Sequence, residues 1–144
     1  HRDLHSFPTR RSSDLMIKNL LLISAGGILG TCSRYMIFVF TESFIGKTFP
    51  LGTLLVNSFG ALFAGILFGI FGFSESFKNY RLFCMVGFLG AFTTFSAYSL
   101  ETINLFFDGK IKLGFLNILL NNILSLFFVG LGFWLAHALI LKVD

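Results

Sequence analysis

Charge is what this sequence has least of. Only 12% of its 144 residues are charged, about half the fraction carried by an ordinary soluble domain. Mean hydropathy is +0.82 and 55% of the residues are hydrophobic, so a water-exposed globular surface is excluded. Cysteine is nearly absent too. Cys32 and Cys84 both fall inside apolar segments and belong to no metal-ligand spacing, which excludes a disulfide framework and leaves two buried thiols. No nucleophile and base pair and no metal cluster is discernible, and the lone His137 reads as an interfacial anchor. Nothing therefore supports an enzyme. The first two apolar runs also lack a carboxylate. A small dual-topology multidrug transporter needs one at mid-membrane to exchange protons for cationic drugs.

What is present is four apolar runs, at 19–40, 49–73, 82–107 and 113–141, separated by polar connectors at 41–48, 74–81 and 108–112. Each run is long enough to cross about 30 Å of hydrocarbon as a helix. The alternation of a barrel strand is missing, so the fold class predicted is an all-α membrane protein of four transmembrane helices. Residues 1–15, HRDLHSFPTRRSSDL, are polar and without apolar periodicity. They resemble translated adaptor or vector sequence and read as a non-native extension, with a basic arm on anionic lipid as the alternative. The membrane domain is then 16–144. The net charge of +4 forms no cluster elsewhere, and no nucleic acid partner is expected.

The basic residues from Met16 onward fall evenly on the two sides of the membrane. Lys18, Lys78, Arg81 and Lys142 lie on one side, and Arg34, Lys47, Lys110 and Lys112 on the other. Orientation follows the Lys/Arg bias. With no bias a chain can insert both ways, and two oppositely oriented copies can form an antiparallel dual-topology homodimer.

Each run carries residues out of keeping with plain lipid contact. Gly26 and Gly30 form a GxxxG pair in the first, a spacing that lets backbones approach; Arg34 follows, either a snorkelling anchor or an attractor of anions. The second opens with Pro50 and places Thr53 and Asn57 on one face. Asn57 is deep enough to need a partner, whether as interhelical glue or as a ligand. In the third, Gly90 is followed by Thr93, Thr94 and Ser96, which compete with the helical ladder and predict a break whose freed carbonyls can coordinate a cation. Phe92, Phe95 and Tyr98 recur at a spacing of three, the usual sign of packing. The fourth run aligns Asn117, Asn121 and Ser125 at four-residue spacing, a stripe suited to a polar solute.

Together these motifs resemble the CrcB/Fluc family of fluoride channels. The likeness runs from about Met16 to the C-terminus and rests on GGxxGxxxRY (26–35), PLGTLLVNxxG (50–60), GFLGAFTTFSAYSLE (87–101) and the Asn117/Asn121/Ser125 stripe. It implies an antiparallel homodimer in the inner (plasma) membrane, exporting cytoplasmic fluoride passively and so protecting against fluoride toxicity. It also implies a structural Na+ at the dimer centre, held by the backbone carbonyls of Gly90 and Thr93. The fluoride pore maps to Asn57, Phe95, Tyr98, Asn121, Ser125 and Thr53, with Arg34 in its vestibule. Tyr98 departs from the family pattern, because a hydroxyl stands where a phenylalanine would carry hydrogen. The other reading from the residues is a small structural or assembly membrane subunit whose polar groups are all interhelical glue.

Overall fold

A computed structural model describes residues 10–46, 48–72 and 74–140. Among them are four helical spans long and apolar enough to cross a membrane: Ser13–Ile45, Leu51–Phe71, Glu75–Phe107 and Ile111–Leu139. The chain is thus an all-helical, multi-pass membrane protein. Large apolar side chains face outward on every span, including Met36, Ile70, Phe107 and Leu126. In water such a surface would aggregate; in a bilayer it meets lipid.

The first helix, Arg10–Ile45, has 36 residues and so extends about 54 Å, well beyond the hydrocarbon thickness. It includes residues 10–15, so the boundary expected at Met16 leaves no mark on the backbone; residues 1–9 lie outside the described residues. At its other end the expected connector 41–48 is shorter than hydropathy suggested, because Thr41 bonds back to the Ile37 and Phe38 carbonyls and Ser43 to that of Val39. These hydroxyls satisfy themselves on the helix and let it continue to Ile45.

The connector expected over 74–81 is largely helical. A 3-10 turn, Glu75–Phe77, passes into an α-turn, Lys78–Tyr80, and then into the third span. Tertiary contact accounts for this: Phe71, Phe77 and Tyr80 form an aromatic cluster with centroids 5.2–6.3 Å apart. Arg81 donates to the Gly72 carbonyl at 3.0 Å and lies 3.8 Å from Glu75. The last connector tightens to a turn through Gly109, whose positive φ of 72° suits glycine, and the fourth helix, Ile111–Ile140, begins immediately after.

Within the third span, Arg81–Leu89 is wound as a π-helix, a wide turn with no signature in the apolar pattern. It packs on the first helix, and the reason the two backbones meet is glycine. A Cβ on Gly26 would strike the Phe83 carbonyl, and one on Gly30 the Phe88 carbonyl. The second and fourth helices form the other close pair. Between these pairs lies a small core of Val56, Leu89 and Phe92.

Candidate functional site

Below this core the third span changes course. Thr93 and Thr94 have extended backbones (φ/ψ −77°/157° and −151°/112°), between the turn Gly90–Phe92 and the helix Phe95–Phe107. Two hydrogen bonds account for the departure. The Thr94 amide, which in a continuous α-helix would serve the Gly90 carbonyl, donates instead to Asn57 Oδ1 at 2.9 Å. The Ala97 amide, which would serve the Thr93 carbonyl, is taken by Thr94 Oγ1 at 3.2 Å, an N-cap for the helix that follows. Both carbonyls thereby lose their ladder donors, and both belong to residues expected to hold a cation.

Asn57 is the hinge pin of this region. Besides accepting from the Thr94 amide, its Nδ2 donates to the Thr94 carbonyl at 3.2 Å and to Asn121 Oδ1 at 3.1 Å. The chain of amides continues along the fourth helix: Asn121 Nδ2 donates to Asn117 Oδ1 at 2.9 Å and to its carbonyl at 3.2 Å. Asn117 Nδ2 donates to Thr102 Oγ1 at 2.9 Å, and Thr102 donates to the Tyr98 carbonyl at 2.7 Å. Asn117 is fully buried and Asn121 nearly so. Buried amides are tolerable at this depth because each finds a partner.

Asn57, Phe95, Tyr98, Asn121 and Ser125 line one open cavity of about 560 Å³, which Gly90 and Thr93 also border. Helices two, three and four all contribute, and no Asp, Glu, His, Lys or Arg lies among the lining residues. Phe95 is 76% exposed and meets Tyr98 edge to face, with centroids 5.3 Å apart at 61°. Such rings direct their electropositive edges sideways. Two expected site residues lie elsewhere. Thr53 lines a cavity of about 250 Å³ with Glu101, Glu42 and Asp108, and Arg34 borders a third with Thr94 and Ser96.

Sequence reasoning assigned no site role to Thr94, Asn122 or Glu101. Thr94 stands in the expected break, and its double bond to Asn57 spans 37 residues of sequence, which no local pattern reports. Asn122 follows Asn121 directly, but one helical step of about 100° turns it to a different neighbour.

Comparison with known proteins assigns the chain to a family. The family model described as CrcB-like protein, Camphor Resistance (CrcB), matches residues 21–133. A protein of Dehalococcoides mccartyi named fluoride-specific ion channel FluC is 45% identical over 122 residues, covering 83% of this chain and 93% of that one. Proteins of the same name from Shewanella oneidensis and Legionella pneumophila are each 40% identical, over 81% and 88% of this chain and 94% and 96% of their own. The matched region contains all four spans apart from their outer ends, and the chain belongs to the CrcB-like family.

Proposed function

We propose that the chain is a fluoride-selective channel that lets cytoplasmic fluoride leave the cell down its electrochemical gradient, through the inner membrane. The observation that carries the reading is the convergence of Asn57, Phe95, Tyr98, Asn121 and Ser125 on one cavity lined by no carboxylate, imidazole or basic side chain. Relatives named as fluoride channels at 40–45% identity supply the ion. Fluoride is small and strongly hydrated, so a protein path must offer donors in place of water. Hydroxyl hydrogens and aromatic ring edges are the donors this cavity can turn to an ion, while the amides of Asn57 and Asn121 hold its wall in place. No energy source is needed: HF enters from acidic surroundings, dissociates inside, and the trapped anion leaves under the membrane potential.

The working unit in this reading is an antiparallel homodimer. The four-against-four count of basic residues allows both orientations, and the high exposure of Phe95 leaves the cavity open on a side that a second copy can close. The third span acts as a broken helix, and the Gly90 and Thr93 carbonyls suit a structural Na+. Both lack ladder donors, and carbonyl oxygen is a hard ligand. Bound there, the ion would supply positive charge that holds carbonyl dipoles of the two copies together.

Purified protein in liposomes loaded with potassium fluoride, or in a parallel sample with potassium chloride and a chloride electrode, with valinomycin added, tests the assignment. A fluoride electrode should record rapid efflux, and chloride should be retained. Absence of fluoride efflux from monodisperse, reconstituted protein would overturn it.

A further inference from the structure

The donors of the cavity are not equally available. Asn57 Nδ2 is engaged by the Thr94 carbonyl and Asn121 Oδ1, and Asn121 Nδ2 by Asn117. An amide nitrogen has two hydrogens, so both asparagines are committed to holding helices together. Two hydroxyls on the cavity wall, those of Tyr98 and Ser125, find no acceptor among the described residues.

The Tyr98 hydroxyl is not randomly oriented. Asn122 Nδ2 donates to the Tyr98 phenol oxygen at 3.2 Å and to the Ile118 carbonyl at 2.7 Å. The backbone bond of Asn122 fixes the amide on its own helix, and its second hydrogen occupies a lone pair of the phenol. A phenol that accepts from one side must direct its own hydrogen to another, and Tyr98 and Asn122 both border the cavity. Accepting a hydrogen bond also polarises the O–H and strengthens it as a donor.

We infer that Asn122 is a positioning residue that aims the Tyr98 hydroxyl hydrogen into the cavity, making Tyr98 a hydrogen-bond donor to the permeating anion. The inference rests on the fluoride-channel reading. A donor so placed favours fluoride over chloride, because the smaller anion is the stronger hydrogen-bond acceptor. The same hydroxyl would otherwise be a liability, standing where a bare ring edge would face the ion.

The test measures fluoride efflux from liposomes against internal fluoride concentration for wild type, Tyr98→Phe, Asn122→Asp and the double variant. Tyr98→Phe deletes one atom and should raise the half-saturating fluoride concentration about tenfold, the worth of one hydrogen bond to a charged group. Asn122→Asp replaces a donor with an acceptor that draws the phenol hydrogen to itself, so it should cause a larger rise in wild type than in Tyr98→Phe, where only the added charge acts. Unaltered concentration dependence of Tyr98→Phe, with wild type still conducting fluoride, overturns the inference and leaves the channel standing. An equal effect of Asn122→Asp in both backgrounds overturns it as well, since the added charge then acts without the phenol. Failure of wild type itself to conduct removes the channel reading and this inference together.

Discussion

Thr53 donates its hydroxyl hydrogen to Glu101 Oε1 at 2.7 Å, linking the second and third spans across 48 residues of sequence. Thr53 is 1% exposed, whereas the other carboxylate oxygen, Glu101 Oε2, is buried without a hydrogen-bond partner among the described residues. One acid is thus held by a single donor at the wall of a cavity that opens beside Pro50 and Asp108. Any loss of that donor leaves both oxygens uncompensated.

Thr53→Val keeps the shape of the side chain and removes the donor. Leaving a buried acceptor without its donor costs about 1–3 kcal/mol. Thermal unfolding in detergent should therefore show a lowered midpoint for Thr53→Val and a smaller change for Thr53→Ser, which retains the hydroxyl. An unchanged midpoint in Thr53→Val would mean that the contact contributes nothing.

Neighbouring glycines of the first helix should respond oppositely to the same substitution. A Cβ on Gly30 would collide with the Phe88 carbonyl and come within 3.1 Å of the Phe92 amide nitrogen, while one on Gly27 meets only the Gly87 carbonyl at 4.0 Å. Gly30→Ala forces the backbones apart and should cost about 1–3 kcal/mol or more; Gly27→Ala should be neutral or slightly stabilising through its helix propensity. Size-exclusion profiles and unfolding midpoints of the two variants decide it. Equal behaviour would contradict the close approach of the first helix to the π-wound segment.

Four spans were legible because hydrophobic length is a property of the sequence itself, and the Asn117/Asn121/Ser125 stripe was legible because four-residue spacing puts side chains on one face. The connector 74–81 was not. Its helical winding depends on Phe71 meeting Phe77 and Tyr80, and a tertiary cluster has no local signature. Asn57 stands out as an amide in an apolar run, yet its acceptance of the Thr94 amide joins positions 37 residues apart, which no local pattern reports. The same bond is why its role is double: an anchor of the third span as well as a member of the cavity wall.

A central sodium should make dimer stability depend on the cation present. The Gly90 and Thr93 carbonyls, whose ladder donors bond elsewhere, have lone pairs free to accept a cation if one binds. Purification in sodium should yield a dimer by light scattering, and exchange into N-methylglucamine, too large to enter, should lower its unfolding temperature. Identical stability in the two salts would remove the support for the ion.

Dual topology can be read by a reporter fused to the C-terminus, which should be found on both sides of the membrane in equal amounts. Two lysines added to the turn at residues 108–110 should drive all copies to one orientation, because the basic residues are otherwise balanced. Such a protein, lacking oppositely oriented partners, should lose fluoride efflux, and coexpression with a copy carrying two lysines between residues 74 and 81 should restore it. A reporter confined to one side in the unmodified protein would rule out the antiparallel pair.

Phe95 and Asn57 separate the aromatic from the amide contribution to conduction. Phe95 is exposed on the cavity wall and, among the described residues, its ring meets just one other ring, that of Tyr98, edge to face, so Phe95→Ile should leave folding intact while abolishing fluoride efflux. An aliphatic side chain has no quadrupole to present to an anion. Asn57→Asp should also abolish efflux, but the structure makes it the harsher change. The new carboxylate still accepts from the Thr94 amide, whereas the two bonds from Nδ2, to the Thr94 carbonyl and Asn121 Oδ1, are replaced by oxygen facing oxygen. Loss of donors inside a buried network costs about 1–3 kcal/mol per group left unpaired, so Asn57→Asp should unfold at a lower temperature than Phe95→Ile. Efflux measured with a fluoride electrode, alongside unfolding midpoints for both variants, distinguishes the two roles. Undiminished efflux from folded Phe95→Ile would return that ring to plain packing, and an Asn57→Asp protein as stable as wild type would show that the amide does not anchor the third span.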